Sequence, residues 1–169
     1  MRTVLLCALL SGMAVGTAQA NALELAGMNV QRTIPCQGRD INISGNANKL
    51  QLTGPCGRVD VAGSEHVITL ERANALDVGG IDHKVSAASV GGLIVSGSGH
   101  RIQSAVQGAP LAAIEIDGEG HALELDLRGP STLTIAGIGQ RVDWSGTEPT
   151  ISTSGVDHRI EQHTGQNKP

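Results

Sequence analysis

Histidine is the side chain whose spacing in this sequence most suggests chemistry. Five of the six histidines stand three residues after a recurrent glycine. In chain order that position holds Asn48, His66, His83, His100, His121, Gln140 and His158. Stacked at about 4.8 Å, such imidazoles would form a ladder along one edge of the molecule. Because Asn and Gln fill the same position, and Asn and His tolerate a positive φ, the preferred interpretation is a left-handed turn residue.

Metal binding and proton binding are the two functions that such a ladder could have. A single linear row lacks the convergent tetrahedral arrangement of a tight zinc site, so we predict no metal site and no cofactor. The ladder of His66, His83, His100 and His121 would still respond to acid. Stacked imidazoles disfavour one another's protonation, which lowers their pKa below the unfolded value of about 6.5. Stability is then expected to fall as the pH drops below about 6.5.

Carboxylates form the second candidate group, at Glu115, Asp117, Glu119, Glu124 and Asp126. Enzymes that cleave polysaccharides can use such residues as an acid/base pair or to hold calcium. The sequence contains no partnering base and no nucleophile-elbow or metalloprotease motif. We therefore predict no catalytic residue and a protein that is not an enzyme. A small carbohydrate-active enzyme that uses the Glu115–Asp126 cluster is the alternative.

Residues 1–20 have the pattern of a secretory signal peptide. Arg2 supplies the positive start, residues 4–15 supply the apolar core, and Ala18 and Ala20 supply the small residues of the cleavage site. The apolar stretch is too short to span a bilayer. We predict cleavage before Asn21 and a soluble periplasmic or secreted protein with no transmembrane segment.

The cysteine content agrees with export, and the net charge restricts the class of partner. Two cysteines remain after cleavage, Cys36 and Cys56, and an even count in an oxidising compartment predicts a disulfide. Arg2 is the only charged residue removed, so 11 basic and 16 acidic residues remain, a net charge of −5. This acidity argues against nucleic acid as a partner.

Basic residues nevertheless follow the histidine position, at Lys49, Lys84, Arg101, Arg141 and Arg159. A stripe of cations could attract an anionic polymer, although an ordinary solvated edge is the preferred interpretation. The partner stays open between an envelope protein and a polysaccharide.

A glycine repeat positions all of these side chains. Glycines at positions 27, 45, 63, 80, 97, 118, 137 and 155 recur every 17 to 21 residues. Alternating apolar pairs flank the glycines, as in Ile41/Ile43 before and Leu50/Leu52 after Gly45. Alternation over short stretches is typical of half-buried strands. We predict an all-β parallel β-solenoid of about seven two-strand coils.

The chain is accordingly divided into four parts. Residues 1–20 are the signal peptide, 21–35 an N-terminal capping segment, 36–163 the solenoid and 164–169 a disordered tail. The longest connection, 105–113, is also the most apolar. It either covers the edge of the coil or presents an apolar patch to a partner.

The segment from Cys36 to Gly63 resembles the bacterial domain of unknown function 3060 family. It contains a cysteine, a strand, the G-x-x-N motif from Gly45 to Asn48, a second strand and the second cysteine, Cys56. The resemblance covers residues 36–104 well and continues more loosely to residue 162. Histidine stands where that family commonly has asparagine. The resemblance implies an exported β-solenoid and no catalytic residue, so we expect a binding or structural protein of the envelope or the secreted fraction.

Overall fold

The computed structural model of the protein describes residues 22–163, which form fourteen strands and no helix. No helix of membrane-spanning length and apolarity is therefore present in this range. The predicted signal peptide and the predicted disordered tail lie outside the described residues. The strands are β1 (Leu23–Met28), β2 (Gln31–Pro35), β3 (Ile41–Asn46), β4 (Lys49–Val61), β5 (Val67–Val78), β6 (Lys84–Val90), β7 (Leu93–Val95), β8 (Arg101–Val106), β9 (Ala112–Ile116), β10 (Ala122–Leu127), β11 (Ser131–Ile135), β12 (Arg141–Gly146), β13 (Thr150–Thr153) and β14 (Arg159–Gln162).

The strands pair in parallel and wind into about eight turns of a β-solenoid, which confirms the predicted fold class. One row contains β1, β3, the ends of β4 and β5, β7, β9, β11 and β13. The second row contains β2, the beginnings of β4 and β5, β6, β8, β10, β12 and β14. Equivalent repeat positions are aligned across neighbouring coils, as in Leu50 with Ile68 and Ile68 with Val85.

Each coil has one inward column more than the two predicted. Cys56 pairs with Ala73, Ala73 with Val90, and Val90 with Val106, and all four side chains are buried. This third column follows the second row, after a register shift between Leu52 and Pro55. The two-strand coil is therefore an incomplete description, because the segments interpreted as connections also fill the core.

Apolar side chains fill the interior from Ile34 to Trp144, and the strands of the last coil do not continue this core. Leu133 is buried, whereas Ile151, its partner in the next coil, is exposed. Leu111 in the longest connection is also exposed, at 51%. The connection therefore exposes an apolar side chain at its tip, whereas Ala105, Val106 and Ala112 nearer its two ends are buried.

The left-handed residue of each turn lies one position earlier than predicted. Positive φ angles of 54° to 60° occur two residues after the turn glycine, at Asn29, Ala47, Glu65, Asp82 and Asp157. Gly99, Gly120 and Gly139 occupy the same position in other coils. The prediction that the histidine position is left-handed is wrong, because the residue before it makes the turn. The histidine side chain is then free to point inward.

From Gly45 onward, the turn glycines are required because each packs directly on the backbone of the preceding coil. A Cβ atom at Gly97, where φ is 101°, would collide with the carbonyl oxygen of Gly80. We expect Gly97→Ala to lower the free energy of unfolding by about 3 kcal/mol, because neither backbone can move without breaking the stack. Gly129 has open space around its Cα atom and no positive φ. Urea unfolding of Gly97→Ala and Gly129→Ala tests this, and equal losses would contradict the packing explanation.

Candidate functional site

Four histidines form a stacked ladder inside the solenoid wall. The ring centroids of His66 and His83, and of His83 and His100, are 4.9 Å apart with the planes 3° from parallel. His100 and His121 are 4.8 Å apart. All four side chains are buried. The ladder implied by the repeat is therefore present, but it lies in the interior and not along an exposed edge.

Both ring nitrogens of each histidine in the ladder make hydrogen bonds with backbone groups. The Nδ1 atom of His83 accepts the backbone N–H of His66 at 3.0 Å. The Nε2 atom of His83 lies 3.0 Å from the carbonyl oxygen of Gly79. His66, His100 and His121 repeat the same two contacts. Because Nδ1 must accept and Nε2 must donate, each ring is held as the neutral tautomer with its proton on Nε2.

Amide side chains perform the same task at the two ends of the ladder. Asn48 Oδ1 accepts the N–H of Val30 at 2.9 Å, and Asn48 Nδ2 donates to the carbonyl of Ser44 at 3.1 Å. Gln140 Oε1 accepts the N–H of His121 at 3.0 Å, and Gln140 Nε2 donates to the carbonyl of Ala136 at 3.2 Å. The repeat position thus requires one acceptor and one donor, which Asn, Gln and neutral His all supply.

Burial is the main cause of the lowered pKa values of His83, His100 and His121. It lowers the pKa of His83 from 6.5 to about 4, and the positive charges that His100 and His66 would carry lower it further. The contact with the carbonyl of Gly79 opposes this shift. Burial also lowers the pKa values of His100 and His121. Mutual repulsion, which the sequence argument placed first, is a smaller cause than desolvation.

The acidic residues of the alternative site do not converge. Glu115 is exposed on β9 in the first row, and Glu124 is exposed on β10 in the second row. Glu119 lies in the turn between these strands. The carboxylates therefore follow the circumference of one coil, with the aliphatic core between the two rows. Within residues 22–163, no group of three or more His, Cys, Asp or Glu side chains is placed to hold a metal ion.

The outer face of the second-row strands is grooved. Two shallow grooves of about 380 Å³ and about 400 Å³ lie along it and share Val67 and Thr69. The first outward column, next to the turn, consists of Gln31, Lys49, Val67, Lys84, Arg101, Ala122, Arg141 and Arg159. The second outward column consists of Thr33, Gln51, Thr69, Ser86, Gln103, Glu124, Asp143 and Glu161. We call this surface the second-row face.

The two cysteines lie where the third column begins. The Cα atoms of Cys36 and Cys56 are 4.9 Å apart, with their sulfur atoms at disulfide distance. Both side chains are buried. Both side chains face the core and not the solvent, so the pair belongs to the scaffold.

Comparison with known proteins supports the resemblance inferred from the sequence. Residues 43–99 match a family model described as a protein of unknown function, DUF3060. The matched range includes four turn glycines and the ladder positions Asn48, His66 and His83. No match is found among curated proteins or among solved structures.

Proposed function

We propose that this β-solenoid, whose residues 43–99 match the DUF3060 family, is an exported, non-catalytic binding protein of the bacterial envelope or secreted fraction. The observation that carries the proposal is the second-row face. Its continuous grooves lie on strands that the histidine ladder and the parallel pairing hold in fixed register. A rigid lateral surface of this kind suits an extended partner that contacts several coils at once.

Export rests on two features of the chain. The first is the signal-peptide pattern of residues 1–20, with its small residues Ala18 and Ala20. The second is the pair Cys36 and Cys56 at disulfide distance, a pairing that persists in oxidising compartments. A mature N-terminus at Asn21 in a periplasmic fraction would support this part of the proposal.

The absence of catalysis is proposed from how the reactive side chains are used. Both nitrogens of His83 are engaged with backbone groups, so this ring is not available as a general base. Glu115 and Glu124 lie in different strand rows, so they do not flank a common substrate position.

Retention of envelope components by the immobilised protein tests the proposal. Two tryptophan variants at exposed outward positions provide the comparison: Ser86→Trp fills the groove, and Thr134→Trp changes the first row. We expect periplasmic protein or polysaccharide to be retained by the unaltered protein and by Thr134→Trp, and to be lost with Ser86→Trp. Equal retention by both variants would refute the second-row face as the binding surface. Shortening of a retained polysaccharide would refute the absence of catalysis.

A further inference from the structure

The second-row face divides into two halves that use their cations differently. In the C-terminal half, Arg141 pairs with Asp143 at 3.2 Å and Arg159 pairs with Glu161 at 2.9 Å. Each of these carboxylates stands two residues after its arginine on the same strand, so the charges neutralise each other locally.

The N-terminal half has cations without such partners. Ser86 stands two residues after Lys84, and Gln103 stands two residues after Arg101. Lys49 is likewise followed by Gln51. Over residues 22–163, the structure contains no ion pair that involves any of these three cations. On its two outward columns the face is therefore positive from β4 to β8, carries the carboxylate of Glu124 on β10, and is self-neutralised on β12 and β14.

Apart from Glu124, which lines the same groove as Lys84 and Arg101, the carboxylates nearest to the N-terminal half do not lie on the two outward columns. Glu71, at the rim, accepts the backbone N–H of Gly54 at 2.8 Å. Glu65 and Asp82 lie in the turns and make the left-handed bend. Glu124 marks the boundary, where its carboxylate accepts a hydrogen bond from Gln103 at 3.3 Å.

We propose that the N-terminal half of the second-row face binds a carboxylate-bearing polysaccharide that runs along the solenoid axis. This inference rests on the proposed function and specifies the class of partner. Lys49, Lys84 and Arg101 would contact the carboxylates, since charge-assisted hydrogen bonds are the strongest polar contacts available to such a polymer. Thr69 and Ser86 offer hydroxyl groups between them for the sugar hydroxyls.

Repeat length and groove chemistry favour a glycan over other polyanions. The ring centroids of His66 and His83, which lie in neighbouring coils, are 4.9 Å apart. This spacing between coils is comparable with the length of one pyranose residue. Val67 and Ala122 supply an apolar floor on which the C–H face of a sugar can rest. Nucleic acid requires a more basic surface than a chain of net charge −4 provides.

Isothermal titration calorimetry of the purified protein with polygalacturonate oligomers tests the inference. We expect binding that weakens as salt is added and that is absent with the methyl-esterified polymer, which has no charge. The double variant Lys84→Gln, Arg101→Gln should weaken binding roughly tenfold or more, because two charge-assisted contacts are lost. The control is Arg141→Gln, Arg159→Gln, which removes two charges from the same column, and it should weaken binding less than about threefold.

Three results would overturn the inference: no binding of polygalacturonate, equal weakening by the two double variants, or equal binding of the esterified polymer. Binding of phosphatidylglycerol vesicles or single-stranded DNA through Lys84 and Arg101, without binding of polygalacturonate, would also overturn it and assign another class of polyanion. Melting temperatures of the variants exclude unfolding as the cause. If envelope components are still retained in a Ser86-dependent manner, the proposed function survives and only the partner class fails.

Discussion

Acidification from pH 7.5 to pH 4.5 is expected to destabilise the protein by several kcal/mol, and the histidine ladder is the reason. The pKa of His83 is about 4 in the folded state against 6.5 without the fold. Between these values the unfolded chain binds more protons than the folded chain, so the free energy of unfolding falls as the pH falls. The loss begins near pH 6.5 and levels off below about pH 4. His83 alone accounts for roughly 3 kcal/mol, and the lowered pKa values of His100 and His121 act in the same direction.

The hydrogen-bond pattern explains why protonation and stacking are incompatible. A proton on Nδ1 of His83 would face the backbone N–H of His66, which now donates to that atom. The bond would be lost, and a charge would stand 4.9 Å from the neighbouring rings of the ladder. Asp82, which faces His83 and His100, and Asp117, which faces His121, oppose the shift only in part.

Urea unfolding at pH 7.5, 6.5, 5.5 and 4.5 measures this effect. The matched control is the triple variant His83→Asn, His100→Asn, His121→Asn, which keeps an acceptor and a donor at each position but cannot titrate in this range. We expect a steep loss of stability for the unaltered protein and a much flatter dependence for the triple variant. The same slope in both proteins would assign the acid sensitivity to carboxylates and contradict the ladder explanation.

The parallel stack was predictable from the sequence because one coil has one strong local marker. From Gly45 onward, each turn glycine packs against the backbone of the preceding coil, so the spacing of these glycines equals the length of a coil. The apolar alternation of Ile41/Ile43 and Leu50/Leu52 then defines which faces are buried. The turn glycine and the apolar alternation can both be read from a short stretch of sequence, and both recur from coil to coil.

Other features were hidden because they depend on geometry between coils. The third inward column begins after a register shift, so Ala73 and Val90 do not continue the alternation of their strands. The left-handed position was missed because its residue type varies, although Gly99 and Gly120 mark it. Their G-x-G fragments carried the signal for the turn.

The contrast on the second-row face is present in the sequence but visible only with the register. Lys84 and Arg101 precede Ser86 and Gln103, whereas Arg141 precedes Asp143. Each of these pairs consists of two residues that stand two positions apart on one strand. Parallel pairing of β6, β8, β10 and β12 places the first members in one outward column and the second members in the next. The register therefore shows that cations without a carboxylate two residues later occupy one half of the surface, and that cations with such a carboxylate occupy the other half.

The largest single-residue effect is expected from His83→Leu. Leucine fits the buried position in size but can neither accept the N–H of His66 nor donate to the carbonyl of Gly79. Both backbone groups would be left buried without a partner, at a cost of about 1 to 3 kcal/mol each. We expect the free energy of unfolding at pH 7.5 to fall by about 4 kcal/mol in total.

His83→Asn is the matched control, because Asn48 already performs this role one turn from His66. Its Oδ1 atom can accept the N–H of His66, and its Nδ2 atom can donate to the carbonyl of Gly79. We expect His83→Asn to cost no more than about 1 kcal/mol at pH 7.5. At pH 4.5 the order should reverse relative to the unaltered protein, because asparagine removes the proton-binding penalty that His83 carries. A loss with asparagine as large as that with leucine would mean that ring packing, and not backbone hydrogen bonding, is what the ladder contributes.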